Sequence, residues 1–143
     1  MKHTTAHIEM VFDGQCGFCT RAAEWLRRRD RRSRIGFHPF QRSGVLERFD
    51  LTEAEACGAV WAFEARGGDT EPVRLRGAAA ANRALDVALG VRLFHPLYRL
   101  PLVRQVQDRV YTWVAEHRHR LRGVTPWCVT HPDDCGEPLS GCG

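Results

Sequence analysis

Apolar and polar positions along the chain fall first into a short apolar run, Ile8-Glu9-Met10-Val11-Phe12, which mixes β-branched and large residues and stops at the turn dipeptide Asp13-Gly14. That pattern predicts a strand with a sharp exit. From Gly17 to about Asp30 no proline intervenes, and Phe18, Ala22 and Leu26, flanked by Cys19, Ala23 and Trp25, recur at helical spacing. Residues 34–40 then alternate around Ile35 and Phe37 until Pro39, which ends a second strand or confines it to a sheet edge. The first unit is therefore read as βαβ.

Ser43 to Phe49 reads as a loop or short helix, and Thr52-Glu53-Ala54-Glu55 has the Thr-x-x-Glu of a capping box. Ala59 to Glu64 and Pro72 to Arg76 read as two strands of an antiparallel hairpin, joined by a loop from Ala65 to Thr70 that carries Gly67-Gly68-Asp69. Ala78 to Leu89, rich in Ala and Leu and closed by Gly90, predicts a helix, so the second unit is ββα. His95-Pro96 and Leu100-Pro101 punctuate a loop. Beyond them Leu102, Val103, Val106, Val110, Trp113, Val114 and Leu121 form one apolar stripe, expected on a long amphipathic helix packed on the domain. After Gly123 the tail is rich in Pro and Gly and is expected to be irregular. With no repeat or linker, residues 1–143 read as one domain with a core at about 8–122 and a tail at about 123–143.

Composition adds bounds. At 143 residues and 43% hydrophobic, the chain suffices for one packed core and lacks the composition of a disordered chain. The net charge is +4, and the run Arg27-Arg28-Arg29-Asp30-Arg31-Arg32-Ser33-Arg34 reads as the solvated end of a helix rather than a nucleic-acid surface. Trp25, Trp61, Trp113 and Trp127 belong to separate elements, and read as core or rim aromatics, not a base-stacking platform. No apolar run approaches the roughly 18 residues of a membrane span, and Ile8 to Phe12 is too short for the apolar region of a secretion signal. A soluble, cytoplasmic protein is expected. Six cysteines without such a signal then point to redox or metal chemistry more than to a disulfide scaffold.

The pair Cys16-x-x-Cys19 opens the first helix directly after the first strand, the arrangement of the thioredoxin fold. The segment Val11-Phe12-Asp13-Gly14-Gln15-Cys16-Gly17-Phe18-Cys19, together with Val110 to Gly123, resembles the DCC-type thiol-disulfide oxidoreductases, named for an Asp-Gly-x-Cys-x-x-Cys opening. The resemblance spans roughly residues 8–128. It implies an α/β, thioredoxin-like fold, with βαβ then ββα around a central mixed sheet and an added long C-terminal helix. It further implies thiol-disulfide exchange with a disulfide-containing protein or small molecule, an external thiol or reductase as electron donor, and no bound organic cofactor or metal.

Placement assigns the chemistry. Only a thiolate attacks a disulfide, and Cys16 at the helix start faces unpaired N–H groups and the positive end of the dipole. Cys19, one turn deeper, is expected to be more buried and to resolve the mixed disulfide formed by Cys16. Asp13 is expected to turn its carboxylate onto the following N–H groups, with proton acceptance as its other reading. Gly14 is expected to supply positive φ at the strand exit, and Gly17 and Phe18 between the cysteines to tune redox poise. Where thioredoxins carry a cis-proline, this chain has Ala56-Cys57-Gly58-Ala59. Cys57 there is either a third redox thiol or a buried, apolar-like cysteine. The rival class is a zinc-binding structural or interaction module using Cys16 and Cys19, or the tail residues Cys128, His131, Cys135 and Cys142. For the tail cysteines a local disulfide, a metal site and surface thiols all remain open. His38, His117 and His119 read as surface or boundary histidines.

Overall fold

The computed structural model describes residues 8–65 and 71–136. Strand β1 (Ile8–Phe12) leads through a turn into helix α1 (Gly17–Arg29), and β2 (Ile35–Pro39) completes the first unit. Short helices α2 (Val45–Arg48) and α3 (Glu53–Gly58) precede the hairpin strands β3 (Trp61–Glu64) and β4 (Val73–Arg76), followed by helix α4 (Ala78–Leu89). The predicted Gly-Gly hairpin loop at 66–70 and the tail from residue 137, which includes Cys142, lie outside the described residues.

One mixed sheet results, in the order β2-β1-β3-β4. β1 runs parallel to β2, from Ile8 beside Ile35 to Phe12 beside Pro39, and antiparallel to β3, which pairs antiparallel with β4. Pro39 thus both ends its strand and lies on an edge strand. Central β1 is buried on both faces, the reason its sequence is nearly all apolar. On one face Ile8, Met10, Ile35 and Ala62 pack against Ala80, Ala84, Val87 and Ala88 of α4, whose small side chains let the helix approach the sheet closely. On the other face Val11 and Phe63 pack with Phe40, Val45, Leu51 and Ala56. The capping box forms as expected: Thr52 Oγ1 accepts from Glu55 N–H, and Glu55 Oε2 accepts from Thr52 N–H, both at 3.1 Å. Gly90 closes α4 with φ +70°.

Three expectations are corrected beyond α4. The proline-punctuated loop is a short helix, α5 (Phe94–Tyr98), started by the buried Asp86 carboxylate, which accepts from the N–H groups of Leu93, Phe94 and His95 at 2.8–3.1 Å. The long helix α6 (Pro101–His117) buries its apolar stripe only in part: Val103, Val114 and Leu121 are half-buried, whereas Leu102, Val106, Val110 and Trp113 are 53–74% exposed, Val106 and Val110 at the wall of a cavity under the helix. Its inward line instead carries Tyr111, whose hydroxyl accepts from Val60 N–H at 2.9 Å, and leads to Arg118. Polar side chains on the buried side are what hydrophobic periodicity cannot anticipate.

The tail is ordered through Gly136. It forms helix α7 (Trp127–Thr130) and a 3₁₀ turn (Pro132–Asp134), and a Cys128–Cys135 disulfide spans them. Arg42 clamps Asp134 through two hydrogen bonds of 2.6 and 2.7 Å, Trp127 Nε1 donates to the same carboxylate, and Gly136 N–H donates to Gln41 O. No helix of the described residues is long and apolar enough to cross a membrane.

Candidate redox site

The strand exit is a tight turn in which Cys16 N–H donates to Asp13 O at 3.2 Å. Cys16 is then the N-cap of α1: its sulfur accepts from Cys19 N–H at 3.2 Å, and its carbonyl accepts from Thr20 N–H and the Thr20 hydroxyl. Helix geometry thereby points an otherwise unpaired donor at one sulfur and sets the second cysteine one turn away. Asp13 is 4% exposed; its Oδ1 accepts from Gln15 N–H at 2.9 Å and from Gln41 Nε2 at 2.8 Å, while Gln41 Oε1 accepts from Gly14 N–H. Arg118 reaches in from just past α6. Its guanidinium lies 3.4 Å from Asp13 Oδ2 and 3.7 Å from Cys19 Sγ, and donates to Cys57 O at 3.1 Å.

These neighbours split the two thiols. The hydrogen bond from the Cys19 thiol lowers Cys16 most, burial opposes it, and the Cys19 N–H and Arg118 lower it further against the Asp13 charge; the outcome is about 6 instead of 9.0. Cys19 moves the other way, pushed up by its bond to Cys16, by burial and by the Cys16 charge. At neutral pH the pair carries one thiolate, on Cys16, and one thiol, on Cys19.

A family model for DCC1-like thiol-disulfide oxidoreductases matches residues 10–124, from β1 through the cysteine turn to Val124. The chain belongs to this family. No curated protein and no solved structure matches it. Family and topology agree on a thioredoxin-like α/β fold and on thiol-disulfide oxidoreductase chemistry in general. The matched region contains both Cys16-Gly17-Phe18-Cys19 and Arg118, and stops short of the Cys128–Cys135 disulfide.

Several residue-level expectations are corrected. Cys16 is only 3% exposed and Cys19 is partly exposed, the reverse of the expected order. The cause is a strap, residues 123–128, that runs over the turn: Val124 N–H donates to Gly17 O, Trp127 N–H to Thr20 Oγ1 and Cys128 N–H to Gly14 O, at 2.9–3.2 Å. Gly14 does not have positive φ. Glycine is needed there because a Cβ would come within 2.8 Å of both Cys128 Sγ and Pro39 Cβ, and at Gly17 because a Cβ would run into the Val124 carbonyl oxygen. Phe18 is half-buried and, with Cys19, lines an apolar cavity of about 600 Å³ under α6.

Cys57 is partly buried and disulfide-bonded, hence neither a free third thiol nor an inert apolar cysteine. Its backbone still touches the site through Arg118. Among the described residues no peptide bond is cis. The disulfide between Cys128 and Cys135 removes both from the zinc ligands considered for the tail, and His131 stacks on Trp127 with ring centroids 3.9 Å apart. No three His, Cys, Asp or Glu side chains of the described residues are grouped to hold a metal. His38 is a boundary residue, bonded to Glu9 and Arg42, and His117 bonds Trp113 O on its own helix.

Two site residues escaped sequence reasoning. Arg118 lies inside the C-terminal segment that carries the family resemblance, a signal that a cation there has work to do. Gln41 gave no signal, since it meets Asp13 only because β2 lies parallel to β1.

Proposed function

We propose that this oxidoreductase works through Cys16 as nucleophile and Cys19 as resolving thiol, exchanging electrons with protein or small-molecule disulfides. The observation that carries the reading is the asymmetric pair, in which Cys16 is lowered to about 6 while Cys19 is raised. The Cys16 thiolate attacks one sulfur of the substrate disulfide and expels the other as a thiolate, which takes up a proton. Once Cys16 is tied in the mixed disulfide its charge is gone, and two of the four causes that raise Cys19 go with it. Cys19 then loses its proton and attacks Cys16, closing the Cys16–Cys19 disulfide and releasing the second substrate thiol. Two electrons and two protons have passed to the substrate, and an external thiol or reductase returns them. No organic cofactor enters this cycle, and the cytoplasm, with its thiol pool, is the compartment it suits.

In this scheme Asp13 is a positioning residue: it holds Gln41, the turn and Arg118 together. The test is exchange with a model disulfide protein by the reduced wild type and by Cys16→Ser and Cys19→Ser. Turnover should vanish in both variants, and Cys19→Ser should accumulate a mixed disulfide at Cys16, read by mass spectrometry. Absence of exchange in the wild type and of any trapped adduct in Cys19→Ser would overturn the proposal.

A further inference from the structure

The cavity of about 600 Å³ beneath α6 has the size of sites that hold small organic molecules, and its wall is almost wholly apolar. The sequence explains the space: Ala22, Ala23, Ala78, Ala81 and Ala115 bring only methyl groups to it from α1, α4 and α6. Its α6 side runs from Val106 to Ala115, about 14 Å at about 1.5 Å per residue. Ala22 on α1 and Val106 and Val110 on α6 line the cavity and are also exposed, which sets its mouth between those two helices.

The few polar groups of the wall are engaged with one another. Asn82 donates to Gln107, and the Tyr111 hydroxyl accepts from Val60 N–H. Arg118 is the one cation among the lining residues, and it is committed to Asp13 at 3.4 Å and to Cys57 O. No cation is left over for a carboxylate, so this wall suits an uncharged ligand. Of the redox pair, Cys19 lines the cavity, while Cys16, 3% exposed beneath the strap, does not. A molecule lying in the cavity meets Cys19.

We infer that this cavity seats the electron donor of the exchange reaction proposed above, an uncharged aliphatic dithiol that attacks Cys19 of the oxidised pair. The inference rests on that reaction. One donor thiol gives its proton to water, and its sulfur attacks the Cys19 sulfur, breaking the Cys16–Cys19 bond and expelling Cys16 as a thiolate. Cys16 is the better leaving group, because its sulfur accepts from the Cys19 N–H and its thiolate is the more stable of the two. The donor's second thiol then attacks the donor sulfur of the mixed disulfide, closing a ring disulfide and releasing Cys19, which takes up that thiol's proton. The donor has lost two electrons and two protons, and the protein regains one thiolate and one thiol.

Binding is tested apart from thiol chemistry, in the Cys16→Ser, Cys19→Ser protein, with the uncharged fluorophore N-phenyl-1-naphthylamine, whose emission rises in apolar surroundings. The fluorophore should bind and be displaced by lipoamide. Ala81→Phe, which fills the cavity, and Val110→Glu, which puts a charge at its mouth, should each weaken binding about tenfold. Val110 is 57% exposed, so its variant keeps the fold even where Ala81→Phe does not, and circular dichroism checks both. Val129→Ser, at an exposed apolar residue of the tail, should leave binding unchanged. In the protein with both thiols, dihydrolipoamide should reduce the oxidised pair about tenfold faster than the polar dithiol dithiothreitol, and Val110→Glu should remove that advantage. Failure of the fluorophore to bind, binding indifferent to both cavity variants, or equal rates with the two dithiols would each overturn the inference while sparing the roles of Cys16 and Cys19. Loss of exchange with every disulfide would overturn both.

Discussion

At Cys16 the decisive quantities are a sulfur 3.2 Å from the Cys19 N–H and a thiol brought down to about 6. The alkylation rate of Cys16 in the reduced protein should therefore rise with a midpoint near pH 6, well below that of an ordinary cysteine, as read by quenched labelling and peptide mass spectrometry. The stability of the reduced form follows with a definite sign. The folded state loses its Cys16 proton near pH 6 and the unfolded chain near 9.0, so the unfolded state binds more protons between them and stability rises with pH across that window. It is lost again as pH falls through 6. The oxidised form, lacking the thiol, should show no such dependence. Arg118→Met should move the labelling midpoint to higher pH and cost about 3 kcal/mol in denaturant, because it removes one partner of a buried ion pair with Asp13, which is 4% exposed. An unshifted midpoint would confine Arg118 to a structural role.

Between elements, the contact that matters is the strap against the first turn of α1. Gly17 and Gly123 allow two backbones to meet where a Cβ on either would collide with the other chain. Gly17→Ala should force the strap away from the helix start, destabilising by about 2 kcal/mol as overpacking does, and should speed proteolytic cleavage around residues 123–128. Unchanged stability and cleavage would mean that the strap yields without cost. Sequence reading located α1, the hairpin strands and the capping box at Thr52, because each follows from local periodicity or local hydrogen bonding. It could not place the strap. The residues concerned, Gly123 to Cys128, have no period of their own, and their partners lie about a hundred positions earlier in the chain.

For the whole molecule, the tail fastens to the body by the Cys128–Cys135 disulfide and the Arg42–Asp134 clamp. Replacing both cysteines by serine should lower stability by about 2 kcal/mol, the scale for opening a short disulfide loop, and should raise the alkylation rate of Cys16 several-fold as the cover loosens. A slower-melting or equally protected Cys16 in that variant would show that the clamp alone holds the tail. Global topology also explains the unexpected surface of α6: the helix turns Tyr111 and the approach to Arg118 inward, Val106, Val110 and Val114 line the cavity beneath it, and Leu102 and Trp113 are left outside.

What the sequence determined by itself was everything governed by near neighbours along the chain: the strand-turn-helix that makes Cys16 an N-cap, the order of βαβ and ββα units, and the thiol pair with its family. Only the tertiary structure decided which groups surround that pair. Arg118 and Gln41 reach Asp13 from 105 and 28 positions away, and the strap buries the very cysteine that local placement left exposed. Amphipathic spacing in α6 likewise specified a helix but not which side would face the domain. That choice rested on buried hydrogen bonds and an ion pair, interactions that depend on distance in space and leave no periodic trace in the chain.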